Sequence, residues 1–226
     1  MTEDTEEAGR ITELEADNRR LRRLLDQRDA PSELRHRLHS TVALLRTIIR
    51  RSADTPRDLE DFVGHIEERL DAIARAQAAA DERGAVSLHR LVADELLQYG
   101  APEGDRVTLT GPHIDLQPKA GQVVALAVHE LAVNAVEHGA LGSAGRIEVA
   151  WDVADDAAEP TLTFTWKERG GSSRPEPSRQ GFGTEVLVRM LVYELKAITR
   201  LNHEPDGLRC TIRLPFIERV GRLAER

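Results

Sequence analysis

Apolar residues near the start of the chain recur at helical spacing. Five seam positions alternate at intervals of three and four, among residues that are almost all charged: Ile11, Leu14, Asn18, Leu21 and Leu25. This spacing is typical of a coiled coil, in which a polar seam residue commonly fixes a parallel two-stranded register. We therefore predict a coiled-coil helix over residues 1–30 and a homodimer. A single amphipathic helix packed on its own domain is the alternative.

Two more amphipathic helices follow, and each begins near a proline, which is tolerated in a first helical turn. The first starts near Pro31 and carries an apolar stripe of Leu34, Leu38, Val42, Leu45, Ile48 and Ile49. The second starts near Pro56 and carries Leu59, Phe62, Val63, Ile66, Leu70, Ile73 and Ala74. Residues 31–83 are thus predicted to form a helical hairpin, which pairs with a second copy as a four-helix bundle.

One histidine of the first hairpin helix points away from the apolar stripe. At about 100° per residue, His36 lies roughly 200° from Leu34 and from Leu38, so it faces solvent. Most exposed histidines are plain surface residues. An exposed imidazole is also what a nucleophile requires when its phosphoryl donor and acceptor lie on other domains.

From Val86 onward, the pattern indicates a mixed α and β domain. Helices are predicted from Ser87 to about Tyr99, from Pro118 to Gly139, and after a cap at Thr184. Alternating apolar residues predict short strands at 107–110, 114–116, 146–153, 161–166, 197–202 and 208–214. Residues 170–183 form a long loop without a hydrophobic anchor, which is typical of a functional lid or a disordered segment. Residues 218–226 are predicted to be a short charged tail.

Composition excludes several classes of function. A formal net charge of -8 over 226 residues, with only 4% aromatic residues, argues against a nucleic-acid-binding surface. The single cysteine, Cys210, excludes an internal disulfide framework, and its alternating surroundings predict a small buried residue. No signal peptide or membrane span is visible, so we expect a cytoplasmic protein that senses through a separate soluble partner.

The first candidate for chemistry is a pair of polar residues on the helix that follows Pro118. Glu130 and Asn134 are one turn apart and share a face, within an apolar sequence where unpaired polar groups are costly. A hydrated Mg²⁺ on nucleotide phosphates suits such a pair, because Mg²⁺ takes one or two protein oxygens and keeps its waters. A helix with ordinary polar positions on its open side is the alternative.

Two glycine-rich motifs supply the second half of a nucleotide site. Glu168 ends a strand beside Gly170 and Gly171, where a carboxylate can accept from the amine of adenine. Residues 181–184, Gly-Phe-Gly-Thr, lead into a helix, whose N-terminus presents free N–H groups that suit phosphate. Three features occur in this order along the chain: the helix with Asn134, the carboxylate of Glu168 beside its glycines, and the glycine loop at 181–184. Together they predict an ATP site.

From about Ser32 to Phe216, the chain resembles an HWE-type histidine kinase, a branch of the two-component sensor kinases. The N box resembles HELATNAxxxGAL at residues 129–141, and the phosphoacceptor box resembles ELxHRxKNxL at residues 33–42. The Trp-x-Glu of the family is matched by Trp166 and Glu168. The lid end resembles GFGxxL from Gly181, and the closing hairpin resembles PxGLxCxxxLP at residues 205–215.

The resemblance implies an α+β chain, with a dimerisation and histidine-phosphotransfer hairpin (31–83) before a Bergerat-type ATP-binding α/β sandwich (84–217). His36 would be the phosphorylated catalytic residue. Glu130 and Asn134 would hold Mg²⁺, and Glu130 would be a second catalytic residue through the water that it organises. Glu168 would meet the adenine amine beside Gly170 and Gly171. Four residues would border the phosphates: Gly181, Phe182, Gly183 and Thr184. The phosphoryl group of ATP would pass to His36 and then to an aspartate of a response regulator receiver domain.

Three segments depart from the family pattern. His39-Ser40 replaces Lys-Asn, Glu137-His138 replaces Lys-Tyr, and Leu195-Lys196-Ala197 replaces Leu-Gly-Gly. They leave open, as the alternative, a non-catalytic or weakly catalytic phosphotransferase or phosphatase scaffold of the same architecture. The long hairpin with His36 disfavours a third hypothesis, a serine kinase of the same ATP-binding superfamily. His129 is expected to be a structural residue.

Overall fold

A computed structural model describes residues 41–42, 45–46, 48–50, 59–155, 159–170 and 182–224. The chain divides into two compact units, Met1–Pro56 and Arg57–Arg226. The described residues of the first unit, all between 41 and 50, are helical, as their apolar stripe predicts. His36 and the coiled coil predicted over 1–30 lie outside the described residues, and both remain predictions.

The second unit begins with three helices, α1 (Leu59–Arg83), α2 (Leu88–Gln98) and α3 (Pro118–Glu137). After the loop comes a helical segment made of α4 (Phe182–Glu185), a π-helical turn (Val186–Met190) and α5 (Leu191–Leu195). The described strands are β1 (Val86–Ser87), β2 (Val107–Thr110), β3 (Ile114–Leu116), β4 (Arg146–Ala154), β5 (Thr161–Arg169), β6 (Ile198–Glu204), β7 (Gly207–Pro215) and β8 (Gly221–Leu223).

The core is a five-stranded sheet covered by helices on one face. The strand order is β2-β4-β5-β7-β6, with β2 parallel to β4 and the other pairs antiparallel. Alternate residues of β5, namely Leu162, Phe164 and Trp166, are buried, as the alternating pattern predicts. Leu162 and Phe164 line one apolar space together with Val124 of α3 and Leu191 of α5. The mixed helix and sheet fold expected from the sequence is therefore confirmed.

Local signals placed most element boundaries correctly. Ser87 caps α2, with its Oγ accepting from the Arg90 N–H at 3.5 Å, and Pro118 occupies the first turn of α3. The predicted cap at Thr184 is wrong, because helical backbone begins two residues earlier, at Phe182, and Thr184 lies inside α4. Within the described residues, no helix combines the length and apolar character needed to cross a membrane.

Helix α1 packs on α3 and belongs to the same compact unit as the sheet. Its buried face runs through Arg69, Ala72, Ile73, Ala76 and Ala80. Two residues of the predicted stripe, Leu59 and Ala74, are exposed instead. Alanines thus make up most of the buried face, and Ile73 is the one fully buried member of the predicted stripe, all of which is described.

The predicted charged tail contains a strand. β8 pairs antiparallel with β3, which also pairs with β1, so these strands form a second, three-stranded sheet. A Cβ at Gly221 would lie 2.6 Å from the Asp115 carbonyl oxygen, so close backbone contact requires glycine there. Val220 beside it is buried. This strand was not predicted from the sequence, because three residues that include Arg222 carry too little alternation to signal one.

The turn after α5 places a non-glycine residue in the left-handed region. Lys196 has φ 53° and ψ 32°, and its N–H closes the helix by donating to the Leu191 carbonyl. This is the position at which the family pattern has the first glycine of Leu-Gly-Gly. A left-handed L-residue costs about 1–2 kcal/mol, so the turn is strained by its side chain.

We expect Lys196→Gly to raise the free energy of unfolding by up to about 1 kcal/mol, because relief of strain exceeds the added entropy of the unfolded chain. Lys196 is exposed, so few contacts are lost. Denaturant unfolding measures the difference. Lys196→Ala is the matched control, since alanine keeps the Cβ; equal stabilisation by alanine would contradict the backbone explanation.

Candidate functional site

The lid end and the predicted Mg²⁺ residues lie together at helix α3. A Cβ at Gly183 would lie 2.9 Å from Glu130 Oε2 and 3.3 Å from Asn134 Nδ2. Glycine at this position therefore lets the backbone of α4 approach both side chains. Asn134 is half-buried and Glu130 is buried. The grouping of Glu130, Asn134 and Gly183 agrees with their assignment to one site, while their predicted roles remain predictions.

Glu130 is held by an arginine from helix α1. Arg69 Nε donates to Glu130 Oε1 at 2.6 Å, and Arg69 Nη2 donates to Oε2 at 3.3 Å. Each side chain is only 5% exposed. A buried carboxylate is stable as an ion only when it is paired and hydrogen-bonded, and the forked guanidinium meets both oxygens. Glu130 is thus a fixed carboxylate that already has a cationic partner.

Sequence reasoning missed Arg69, although a signal was present. Arg69 lies three residues after Ile66 and four before Ile73, so it falls on the apolar side of α1. A charged residue on a buried face requires a partner of opposite charge. The partner, Glu130, lies 61 residues further along the chain, and only the packing of α1 on α3 identifies it.

His129, the first residue of the N box, contacts helix α2. Its Nδ1 lies 2.8 Å from Glu95 Oε1 and 3.3 Å from the Tyr99 hydroxyl, while Arg75 Nη2 donates to Glu95 Oε2 at 2.6 Å. Burial by itself raises the pKa of Glu95, but hydrogen bonds from His129 and Arg75 hold that pKa below its usual value. His129 is buried among structural partners, as expected from the sequence.

Glu168 is buried at the end of β5, beneath the loop that follows α3. Its Oε2 accepts from the Ala140 N–H at 2.8 Å, and its Oε1 accepts from Trp166 Nε1 at 3.1 Å. Burial raises the pKa of Glu168, although these two donors oppose the shift. Trp166 is the tryptophan of the Trp-x-Glu motif, and it is fully buried. It also donates because residues two apart on a strand face the same side.

Glycines surround Glu168 at close range. A Cβ at Gly139 would collide with Glu168 Oε2, and a Cβ at Gly207 would collide with the Glu168 carbonyl oxygen. Gly170 has φ +77°, which favours glycine at the predicted adenine wall. Gly139 and Gly207 thus hold the backbone close to the carboxylate. The glycines that the sequence predicted here are Gly170, whose Cβ would meet Gly145, and Gly171, which lies outside the described residues.

The loop after α3 is fixed by a residue that the sequence did not identify. Arg106 donates through Nε to the Gly145 carbonyl at 2.9 Å, and through Nη2 to the carbonyls of Ala140 and Ser143 at 3.0 and 2.5 Å. Ser143 Oγ donates to the Gly170 carbonyl at 3.1 Å. Arg106 thereby positions the Ala140 N–H that contacts Glu168, although a lone arginine before a strand gives no local signal.

The departure at Glu137 lies on the α1 side of the site. Glu137 Oε1 is 3.9 Å from His65 Nε2 of α1, and Glu137 Oε2 is 3.4 Å from His138 Nε2. Glu137 is seven residues after Glu130, so it continues the helix face that Arg69 contacts. Glu137 therefore lies beside α1, where two imidazoles contact its carboxylate.

The remaining predicted site residues are described in part. Thr184 is half-buried. His36, Gly171 and Gly181 lie outside the described residues, and for Phe182 only the backbone is described. In the part of the chain covered by the structure, no three His, Cys, Asp or Glu side chains form a metal-binding cluster.

The side-chain oxygens of Glu130 and Asn134 near Gly183 suit a Mg²⁺ ion that is held mainly by the phosphates of a bound nucleotide and by water. Mg²⁺ takes one or two protein oxygens, which the Asn134 carboxamide can supply. Glu130 retains lone pairs beyond those used by Arg69, so its carboxylate can still accept from a metal-bound water. Asn134 is the better direct ligand of the two.

Comparison with known proteins identifies the relatives of the chain. Residues 33–113 match the family model of HWE histidine kinases. The chain is 34% identical over 214 residues to blue-light-activated histidine kinase 1 of Erythrobacter litoralis, covering 91% of this chain and 57% of that protein. It is 27% identical over 187 residues to the blue-light-activated histidine kinase of Brucella anthropi, covering 81% of this chain and 38% of that protein. The chain therefore spans less than two thirds of these relatives.

A solved structure shares the fold. The histidine kinase domain of the Erythrobacter litoralis EL346 blue-light activated histidine kinase superposes with a TM-score of 0.56 at 18% identity, covering 93% of this chain and 96% of that one. The family expected from the N box and the Trp-x-Glu motif is confirmed. The chain belongs to the HWE histidine kinase family.

Proposed function

We propose that the chain is a protein-histidine kinase that transfers the γ-phosphoryl group of Mg-ATP to His36 and then to an aspartate of a response regulator. The carrying observation is the convergence of Glu130 and Asn134 on Gly183, which joins the N box to the lid end. Family membership supports the same reaction. The predicted coiled coil and hairpin further suggest that the protein acts as a homodimer.

Each described site residue has a distinct task in this proposal. Asn134 would hold the metal ion, and Glu130 would accept a hydrogen bond from a water bound to that ion. Glu168 accepts from the adenine amine, beside Gly170. Bound Mg²⁺ neutralises charge on the phosphates, so catalysis depends mainly on positioning. Glu168 is only 2% exposed, so we expect nucleotide binding to uncover its carboxylate.

A weakly catalytic or phosphatase-dominated scaffold is the second candidate function. Glu137 supports it, because a carboxylate stands where the family pattern has a lysine that would attract phosphate. The contacts of Glu137 with His65 and His138 favour the kinase, since they hold this carboxylate beside α1. The two functions differ in the net direction of phosphoryl flow.

Incubation of the full chain with γ-labelled ATP and Mg²⁺ tests the kinase assignment. We expect acid-labile label that is lost in His36→Ala and retained in His39→Ala, a matched histidine three residues along the chain. Addition of a receiver domain should then discharge the label. Acid-stable label would indicate a serine kinase, and absence of label in the unsubstituted chain would contradict the proposal.

Nucleotide affinity should depend on pH through Glu168. Its pKa is raised by burial, and the ionised carboxylate accepts from the adenine amine more strongly than the protonated carboxyl group does. Binding of a non-hydrolysable ATP analogue should therefore weaken as pH falls through this raised pKa, above the range in which an ordinary glutamate protonates. Titration calorimetry at several pH values measures the effect.

The corresponding variant is Glu168→Gln. A glutamine has one acceptor oxygen, so its N–H₂ group must face either a protein donor or the adenine amine. We therefore expect the ATP analogue to bind about tenfold more weakly or worse, and its affinity to vary less with pH. Glu148→Gln is the control. The Glu148 side chain pairs with Arg169 and is 40% exposed, and this variant should bind the ATP analogue normally. A pH dependence that persists unchanged in Glu168→Gln would assign the titration to another group.

A further inference from the structure

We propose that Arg69 is a positioning residue of the kinase, which fixes the Glu130 carboxylate at the lid end from the second helix of the predicted hairpin. The inference rests on the proposed function and extends it to a residue outside the ATP-binding motifs. Arg69 acts through Glu130 and does not contact the reacting atoms. Its effect is therefore on the placement of a catalytic carboxylate.

The geometry of the pair restricts Glu130 to one orientation. Two donors on one rigid guanidinium meet two carboxylate oxygens, at 2.6 and 3.3 Å. The longer contact is to Oε2, which is also the oxygen nearest the Gly183 position, at 2.9 Å from its Cβ site. Glu130 is thus oriented with its less strongly held oxygen toward the lid end, where an additional acceptor lone pair is useful.

The burial of Glu130 requires a partner of this kind. Glu130 is 4% exposed, and a carboxylate that is buried without a partner loses the free energy of its hydration. Arg69 offsets this loss with two N–H donors on one planar group, which meet both carboxylate oxygens. The ammonium of lysine supplies charge without that fork.

Neighbouring polar pairs hold α1 in register, so the position of Arg69 is defined. Gln122 Nε2 of α3 donates to Gln77 Oε1 of α1 at 2.5 Å, and His65 of α1 lies 3.9 Å from Glu137 of α3. The Arg69–Glu130 pair lies between these two along α1. The three pairs run in opposite directions along the two sequences, so α1 and α3 are antiparallel. A displacement of α1 along α3 would remove the guanidinium from Glu130. The position of the hairpin helix is in this way coupled to the ATP site.

A purely structural ion pair makes different predictions. Loss of either partner of a buried pair lowers stability whatever its role, because it leaves an uncompensated charge. A positioning role additionally lowers the turnover of the folded enzyme, and it does so only while Glu130 is a carboxylate. The double-variant cycle of Arg69 and Glu130 separates these two cases.

The experiment measures the initial rate of His36 phosphorylation against ATP concentration for the full chain and its variants, with Tm recorded without nucleotide. In Arg69→Gln we expect kcat to fall at least about tenfold, with KM for ATP changed by no more than about threefold. Arg69→Lys should recover part of kcat, because it restores charge without the fork. In the Glu130→Gln background, Arg69→Gln should cause no further loss of kcat.

Arg75→Gln is the matched control, since it removes an arginine–glutamate pair one and a half turns along the same helix, with 40% of the arginine side chain exposed. It should retain kcat.

Rates are compared at a temperature where every variant is folded, and Arg69→Lys replaces Arg69→Gln in the comparison if Arg69→Gln fails to fold. An unchanged kcat in Arg69→Gln, or an equal loss of kcat in both Glu130 backgrounds, would overturn the positioning role. Absence of His36 label in the unsubstituted chain would instead refute the proposed function, and with it this inference.

Discussion

Helix α3 is buried along most of its length, so a fully buried polar side chain on it needs a partner inside the protein. Three polar residues fall in six positions of this helix: His129, Glu130 and Asn134. Unpaired, each would cost several kcal/mol on burial. Glu95 of α2 pairs with His129, and Arg69 of α1 pairs with Glu130. The packing of both helices on α3 follows from this requirement.

The same requirement divides the N box into two functional halves. His129 and Glu130 are committed to α2 and α1, and they connect these helices to the nucleotide site. Asn134, one turn further on, is half-buried and faces the lid end at Gly183. A carboxamide carries no net charge. Leaving it partly buried without a ligand therefore costs less free energy than leaving a carboxylate in the same state. The ion-paired Glu130 and the available ligand Asn134 thus occupy successive turns of one helix.

Glu168 illustrates a second solution to the same problem. Among the described residues, no cationic side chain is hydrogen-bonded to Glu168, and its oxygens accept instead from the Ala140 N–H and from Trp166 Nε1. Neutral donors compensate burial less completely than a guanidinium does, which is why the pKa of Glu168 remains raised. The close glycines at 139 and 207 exist because any side chain there would displace this carboxylate or its backbone.

The sequence by itself determined the helices, the main strands, the glycine motifs and the family. Those features depend on local spacing, capping residues and alternation, which act over a few neighbouring positions. It also placed Glu130, Asn134 and Gly183 at one site through the resemblance of their motifs. Only the tertiary structure decided which groups pair with the buried charges. Arg69 meets Glu130, Ala140 meets Glu168, and β8 joins β3 across long separations in the chain, where helix packing and strand pairing select the partners and local pattern carries no information about them.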